Sequence, residues 1–263
     1  MTNDKLTDNL LKEPSILPVG KYLQLVVKLK FLDDAIIRSN DPEEVLTFRY
    51  KELGNRFIIP WRKVKGKLRR ITMEKQRSLS IVPQCHLKDD LCMKCPSCFI
   101  FGGTGETSSA NVSYNILSRV LGETFISTTQ VGDITPYTQN AVDEITQQTG
   151  QALMNIITVP AETEFLGVVT LKDPTPEIAS IIYNNLLSLT RIGARTVEWG
   201  RVKTSIVKYE LSNFESLSAY ELIHENKDLN EIKIEGLPDV KKSYTTLNEQ
   251  VQTLLKNEKL ING

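Results

Sequence analysis

The chain has 263 residues, 40% apolar and 24% charged, enough to bury a sizeable core as one large domain or as one domain carrying insertions. Its 32 basic and 32 acidic side chains cancel, so net charge says nothing of a nucleic-acid partner and only the distribution of charge can be argued from. The N-terminus MTNDKLTDNLL lacks a basic region followed by a long apolar run, and no stretch approaches the roughly 18 to 20 apolar residues of a membrane span; a soluble, intracellular (cytoplasmic) protein with no membrane partner is expected.

Residues 21–31, KYLQLVVKLKF, alternate, with Leu23, Leu25, Val27, Leu29 and Phe31 on one face and Gln24, Lys28 and Lys30 on the other. That pattern predicts a half-buried strand with a basic outer face. A polar connection, FLDDAIIRSNDPEE, carries Asp33 and Asp34 to a second extended segment, VLTFRY, and the turn signal LGN. Pro60 then suits the entry to a helix, and from Arg62 to Arg77 eight of sixteen residues are Lys or Arg against one acid, Glu74. On a helix Lys63, Lys67 and Arg70 share a face. A basic run is ordinarily a solvated helix surface, but the missing acids tilt this one toward holding phosphates.

Every cysteine of the chain lies in CHLKDDLCMKCPSC: Cys85, Cys92, Cys95 and Cys98, spaced by six, two and two residues. Two-residue gaps let thiolates turn onto one tetrahedral cation, for which zinc is the expected occupant. His86 is an alternative fourth ligand, and an iron–sulfur cluster or four free thiols are the other readings. Asp89 and Asp90 stand nearby, yet four protein ligands argue for a closed, structural site stitching an insertion that has too little core of its own. Confinement of the thiols to one cluster fits a reducing compartment.

FGGTGETSS matches neither a Walker A pattern nor a dinucleotide fingerprint and reads as a flexible exit from the cysteine loop. From Leu121 to Leu171 there is no Lys or Arg, and the crowd of Thr, Gln, Asn and Ser suggests an exposed hairpin-like projection. FLGVVTL reads as a strand. Thr175 and Pro176 make an N-cap and first-turn pair for a helix with Ile178, Ile181, Ile182 and Leu189 on one face. RIGARTVEWGRVK is a loop with glycines at 193 and 200, leading to the strand TSIVKYEL. The tail 215–263 holds nine acids against six bases and a helix around LNEQVQTLLKN. No solenoid repeat is present. The order of elements predicts an α+β fold with helices on one side of an antiparallel sheet and the other side free.

Three segments resemble the RAMP-type backbone subunits of CRISPR effector complexes, most closely the filament subunit of type I-D Cascade. IIPWRKVKGKLRR is similar to that family's proline turn leading into a basic helix; CPSCFIFGG resembles its Cys-Pro-x-Cys-x-x-Phe-Gly element; DEITQQTGQALMNIITVPAETEFLGVVTL resembles its thumb. RIGARTVEWGRV further resembles its glycine-rich loop, which adds Arg191 and Arg195 to the candidates. The resemblance implies a ferredoxin-like, RRM-type palm over residues 1–263, with a zinc-binding insertion at 71–105, a thumb at 124–159 and a helical tail at 215–263. It also implies copies stacked along a CRISPR RNA, with a target DNA or RNA strand and the large, 5′-end-capping and guide-processing subunits of a Cascade complex as partners. Lys28, Lys30, Arg62, Lys63, Lys67, Arg69 and Arg70 would hold RNA, and Met154 and Ile156 would act as apolar wedges between bases. Where many relatives have Gly-Ser-Ser before the basic helix this chain has Trp61, Arg62 and Lys63, which favours side-chain over backbone contacts to phosphate. The rival reading is a nuclease subunit that cuts the guide-paired strand, since related subunits use an aspartate in the loop after the first strand, where Asp33 and Asp34 stand.

Overall fold

The alternating segment forms β1 (Tyr22–Phe31), the strand on which the fold is built. The structure is a computed structural model that describes residues 6–38, 46–81, 83–87, 90–106, 110–132, 137–142, 145–146, 149–226 and 229–261, with side chains for all of these except 137–142 and 149–156. β1 lies between β8 (Glu164–Lys172) and β9 (Val202–Ser212) and is antiparallel to both. Beyond β8 come β5 (Phe125–Ser127), β3 (Gly54–Ile59) and β2 (Thr47–Tyr50), while β4 (Val120–Gly122) pairs with the other end of β8. The result is a seven-stranded sheet with antiparallel pairing throughout. β6 (Tyr137–Val142) and β7 (Thr149–Ile156) pair only with each other, as a separate hairpin between β5 and β8. Phe125, within the segment 124–159 expected to project, is fully buried in the main sheet.

Two helices make the crossovers. α1 (Trp61–Ser78) runs from the β2–β3 hairpin toward β4, and α3 (Pro176–Leu187) joins β8 to β9 across β1. The order β5-β8-β1-β9 with these helices is what a split β-α-β-β-α-β chain generates. As the sequence predicts, Thr175 caps α3, its hydroxyl accepting from the Ile178 N–H at 3.4 Å. Pro60 stands just ahead of α1, where a missing N–H costs nothing. α5 (Val240–Asn257) packs on α3, its N-terminus capped by Asp239, which accepts from the Lys242 N–H at 3.0 Å.

The alternation of β1 decides what each face buries. Leu23, Leu25, Val27, Leu29 and Phe31 are at most 1% exposed and join Val64 and Leu68 of α1, Ile178 and Ile182 of α3, and Leu247 and Val251 of α5 in one core. Gly167 is required there: a Cβ would lie 2.3 Å from the Phe125 ring.

The opposite face was expected to be free, and this is corrected in part. The chain turns back after β9 and lays α4 (Ala219–His224) over Val26, Leu166, Val168 and Val207, so Ala219 and Leu222 build a second, smaller core. Gln24, expected on an exposed face, is buried because its amide oxygen accepts from the N–H groups of Ser216 (2.6 Å) and Leu217 (2.9 Å). Glu123 accepts the Ala219 N–H beside it, and burial pushes its carboxyl above the usual range.

The cysteine segment is likewise not a separate unit. Cys85, Met93, Cys95, Cys98, Phe99, Ile100 and Phe101 belong to the main core, and the short helix α2 (Pro96–Phe101) packs on both α1 and α5. The apolar run CFIF gives it a face to bury, and the Ser97 N–H donates to the buried Gln76 side chain of α1 at 2.6 Å. The glycines that follow allow close approach rather than looseness: at Gly102, with φ +80°, a Cβ would lie 2.7 Å from the Ile116 carbonyl oxygen. Among the described residues, no helix is long and apolar enough to cross a membrane.

Candidate nucleic-acid interface and metal centre

Helix periodicity places Arg62, Lys63, Lys67 and Arg70 along one flank of α1, with Gly66 leaving room between them. Across from this flank runs the loop 191–201, held in a tight arch. Ile192 N–H donates to Gly200 O at 2.9 Å, Ala194 N–H to Ile36 O at 2.8 Å and Gly200 N–H to Asp34 O at 2.9 Å. Gly193 sits at φ +117°, and a Cβ there would lie 2.8 Å from the Ile36 carbonyl oxygen, so the close approach depends on glycine. Helix flank and arch enclose a cleft of about 300 Å³ lined by Arg38, Arg62, Lys63, Lys67, Arg70 and Arg191, and among the described residues no carboxylate lines it.

Six cations around one cleft repel each other and lose water. Burial, and then the neighbouring Arg62 charge, pull the Lys63 ammonium below its ordinary pKa. The Arg38 Nε is buried with no acceptor among the described residues. Both conditions are relieved by an anion, and a chain of phosphates is the anion that spans several cations in a row.

The basic run names four of the six and the family resemblance adds Arg191; Arg38 is the exception. A lone arginine in a polar connection carries no signal, and only the pairing of Ile36 with Ala194 draws it to the cleft. Arg195 follows Ala194 in the arch at φ +48°, with its carbonyl accepting from the Glu198 and Trp199 N–H groups. Arg69 does not join this flank. Its side chain lines a different cleft, formed with residues 101–104 and 115–118. Lys28 and Lys30 lie on the β1 face opposite α1 and are paired with Glu164 (3.8 Å) and Glu162. The side chains of Met154 and Ile156 are outside the described ones.

Asp33 and Asp34 act as ties. Asp33 Oδ1 accepts from the Arg201 N–H at 2.7 Å, and Asp34 accepts from the Ala161 N–H at 3.0 Å and the Thr158 hydroxyl at 3.1 Å. Among the described residues, the four cysteines are the one place where three or more His, Cys, Asp or Glu ligand atoms converge. No third acidic or imidazole ligand among them joins the two aspartates.

The four Sγ atoms lie within 4.8 Å of one another, with Cys85 and Cys98 at 3.5 Å. A tetrahedral thiolate site has sulphurs about 2.3 Å from the ion and so about 3.8 Å apart, which this cage fits with small adjustments. The ligands of a multinuclear cluster bind different iron atoms and stand farther apart, so the cage suits a single ion. Backbone N–H groups support it: Cys92 N–H points to Cys85 Sγ at 3.4 Å and Cys98 N–H to Cys95 Sγ at 3.5 Å. Hydrogen bonds from the Cys85, Cys92 and Cys98 thiols hold Cys95 well below the ordinary thiol range, while those between Cys98 and Cys85, Cys92 and Cys95 push Cys98 up. Four crowded thiols cannot all ionise without a cation among them. His86 is corrected as a ligand: its Nδ1 lies 3.1 Å from the Asp90 carboxylate, and the side chain is 63% exposed, turned away from the thiols.

The model of one protein family, described as Csc2 Crispr, matches residues 9–262. No curated protein matches the sequence. Among solved structures, the crystal structure of Thermofilum pendens Csc2 is similar at a TM-score of 0.58 and 20% identity, over 95% of this chain and 83% of that one. A chain of a type IV-B CRISPR complex is similar at a TM-score of 0.51 and 14% identity, over 70% of this chain and 90% of that one. At these identities the likeness is one of fold.

Proposed function

Because the chain belongs to the Csc2 CRISPR family, we propose that it is a guide-RNA-binding backbone subunit of a type I-D Cascade complex. In this reading the sheet with α1 and α3 is a ferredoxin-like, RRM-type palm, the hairpin β6–β7 is a thumb, and copies stack along a CRISPR RNA beside the other Cascade subunits and a target strand. The observation that carries the reading is the cleft between α1 and the 191–201 arch, where six cations and, among the described residues, no carboxylate line one wall, as a phosphate backbone requires. Zinc is the proposed occupant of the cysteine cage, in a structural role, since four thiolates leave no open position for water. The scaffold reading is preferred over the nuclease one because Asp33 and Asp34 are engaged with backbone and hydroxyl donors.

The test is RNA binding by the full chain with Arg62, Lys67, Arg70 and Arg191 changed to Glu. A fall in affinity together with a flattened salt dependence supports the reading. Unchanged binding to single-stranded RNA overturns it.

A further inference from the structure

α1 has a second flank. Lys65 and Arg69, one turn apart, face away from the cleft described above and toward the loop that returns from α2. There a shallow cleft of about 420 Å³ is lined by Arg69, Thr104, Asn115, Leu117 and Ser118, and again no carboxylate among the described residues enters its wall. Lys65 reaches its rim, where Nζ donates to the Ser118 hydroxyl at 2.9 Å. Burial, and after it the Arg69 charge, lower the Lys65 pKa, so the two cations sit together at a cost.

Arg69 Nε and Nη2 are buried without an acceptor. Among the described residues, only Arg38 and Arg69 carry buried, unpartnered guanidinium nitrogens, and each lines one of the two clefts flanking α1. A buried guanidinium donor left unpaired has given up its water and gained nothing in return, a cost that an anion or an ordered water supplying the acceptor relieves.

We propose that the Lys65–Arg69 cleft is a second nucleic-acid phosphate site, separate from the first and on the opposite flank of the same helix. The inference rests on the reading of the first cleft in taking phosphate as the anion. The neutral donors Thr104, Asn115 and Ser118 around two cations suit a phosphodiester, which offers several acceptor oxygens at once. The helix is about 10 Å across, so one strand bending round it, or a second strand alongside, reaches both flanks.

The experiment compares the full chain with Lys65→Gln/Arg69→Gln and, as a control for the first cleft, with Arg62→Gln/Arg70→Gln. The probes are polyuridylate and poly-glutamate, titrated across a salt series, with thermal melting run on every variant. The expected result is that the second-flank pair lowers the slope of log K against log salt on polyuridylate by about 1.4, or about 0.7 for each phosphate no longer neutralised, at unchanged melting temperature. Lys65→Gln alone, which leaves Arg69 in place, should give about half that change. An unchanged polyuridylate slope overturns the proposal. So does a weakening confined to poly-glutamate, which would assign the cleft, with Leu117 75% exposed at its rim, to a protein carboxylate. A smaller slope from the second-flank pair with no change from the Arg62/Arg70 control would sustain this site and reject the first cleft.

Discussion

The Asp34 carboxylate accepts a hydrogen bond from the Thr158 hydroxyl at 3.1 Å, joining residues 124 positions apart in the chain. With the Ala161 N–H on its other oxygen, and its own carbonyl accepting from Gly200 N–H, Asp34 ties the base of the hairpin to the arch over the basic cleft. Asp34→Ala should loosen the hairpin base by about 1 kcal/mol for each of the two side-chain hydrogen bonds removed, read as faster hydrogen exchange at 158–161, while protection at 193–200 persists because the Asp34 carbonyl still accepts from Gly200 N–H. Any strand cleavage by an assembled complex should be the same with and without the substitution. Cleavage abolished with exchange unchanged would reverse the assignment.

Arg38 belongs to the cleft despite its place in a polar connection. Arg38→Gln should flatten the salt dependence of single-stranded RNA binding by about 0.7 units, as much as Arg70→Gln. Equal slopes for wild type and Arg38→Gln would remove it from the interface.

Metal analysis should find one ion per chain, expected to be zinc, and none in Cys95→Ser/Cys98→Ser. Structural zinc contributes on the order of 10 kcal/mol to the metal-bound fold of small peptides. Because Cys95, Cys98 and Phe99 share the core with α1 and α5, chelation should expose α5 as well as residues 80–105, measured by hydrogen exchange. Loss of protection confined to 80–105 would mean the segment is separable after all.

Gln24→Ala should free the 215–218 turn and raise exchange across α4, at a cost of about 1 to 3 kcal/mol, because the Ser216 and Leu217 N–H groups lose a shared acceptor. Unaltered protection of α4 would show that Ala219 and Leu222 hold it without the clamp.

Glu123 has a carboxyl pKa raised by burial above its ordinary 4.5, so its protonated form favours the fold. Its contribution is fully present below 4.5 and is lost as pH rises through the higher folded value. Measured by denaturant unfolding, the stability of wild type minus that of Glu123→Gln should therefore fall as pH increases across that window. A difference that grows with pH would mean the N–H groups it accepts hold it ionised.

Much of the local structure was legible because it depends on periodicity and local chemistry. The alternation of 21–31 specified a strand, Thr175–Pro176 specified a helix start, and the run from Arg62 to Arg77, with Glu74 its one acid, specified a basic helix. The cysteine spacing specified a cage, since two-residue gaps bring thiols together whatever surrounds them. Only tertiary structure decided what each of these meets. The side of α1 on which Arg69 falls, the capture of Arg38 by the 191–201 arch, the covering of Gln24 by the returning tail and the conversion of Asp33 and Asp34 into ties all join residues far apart in sequence. A side chain's local pattern fixes its direction from the backbone, but its charge state, burial and partners are set by whichever distant segment packs against it, and no local pattern encodes that.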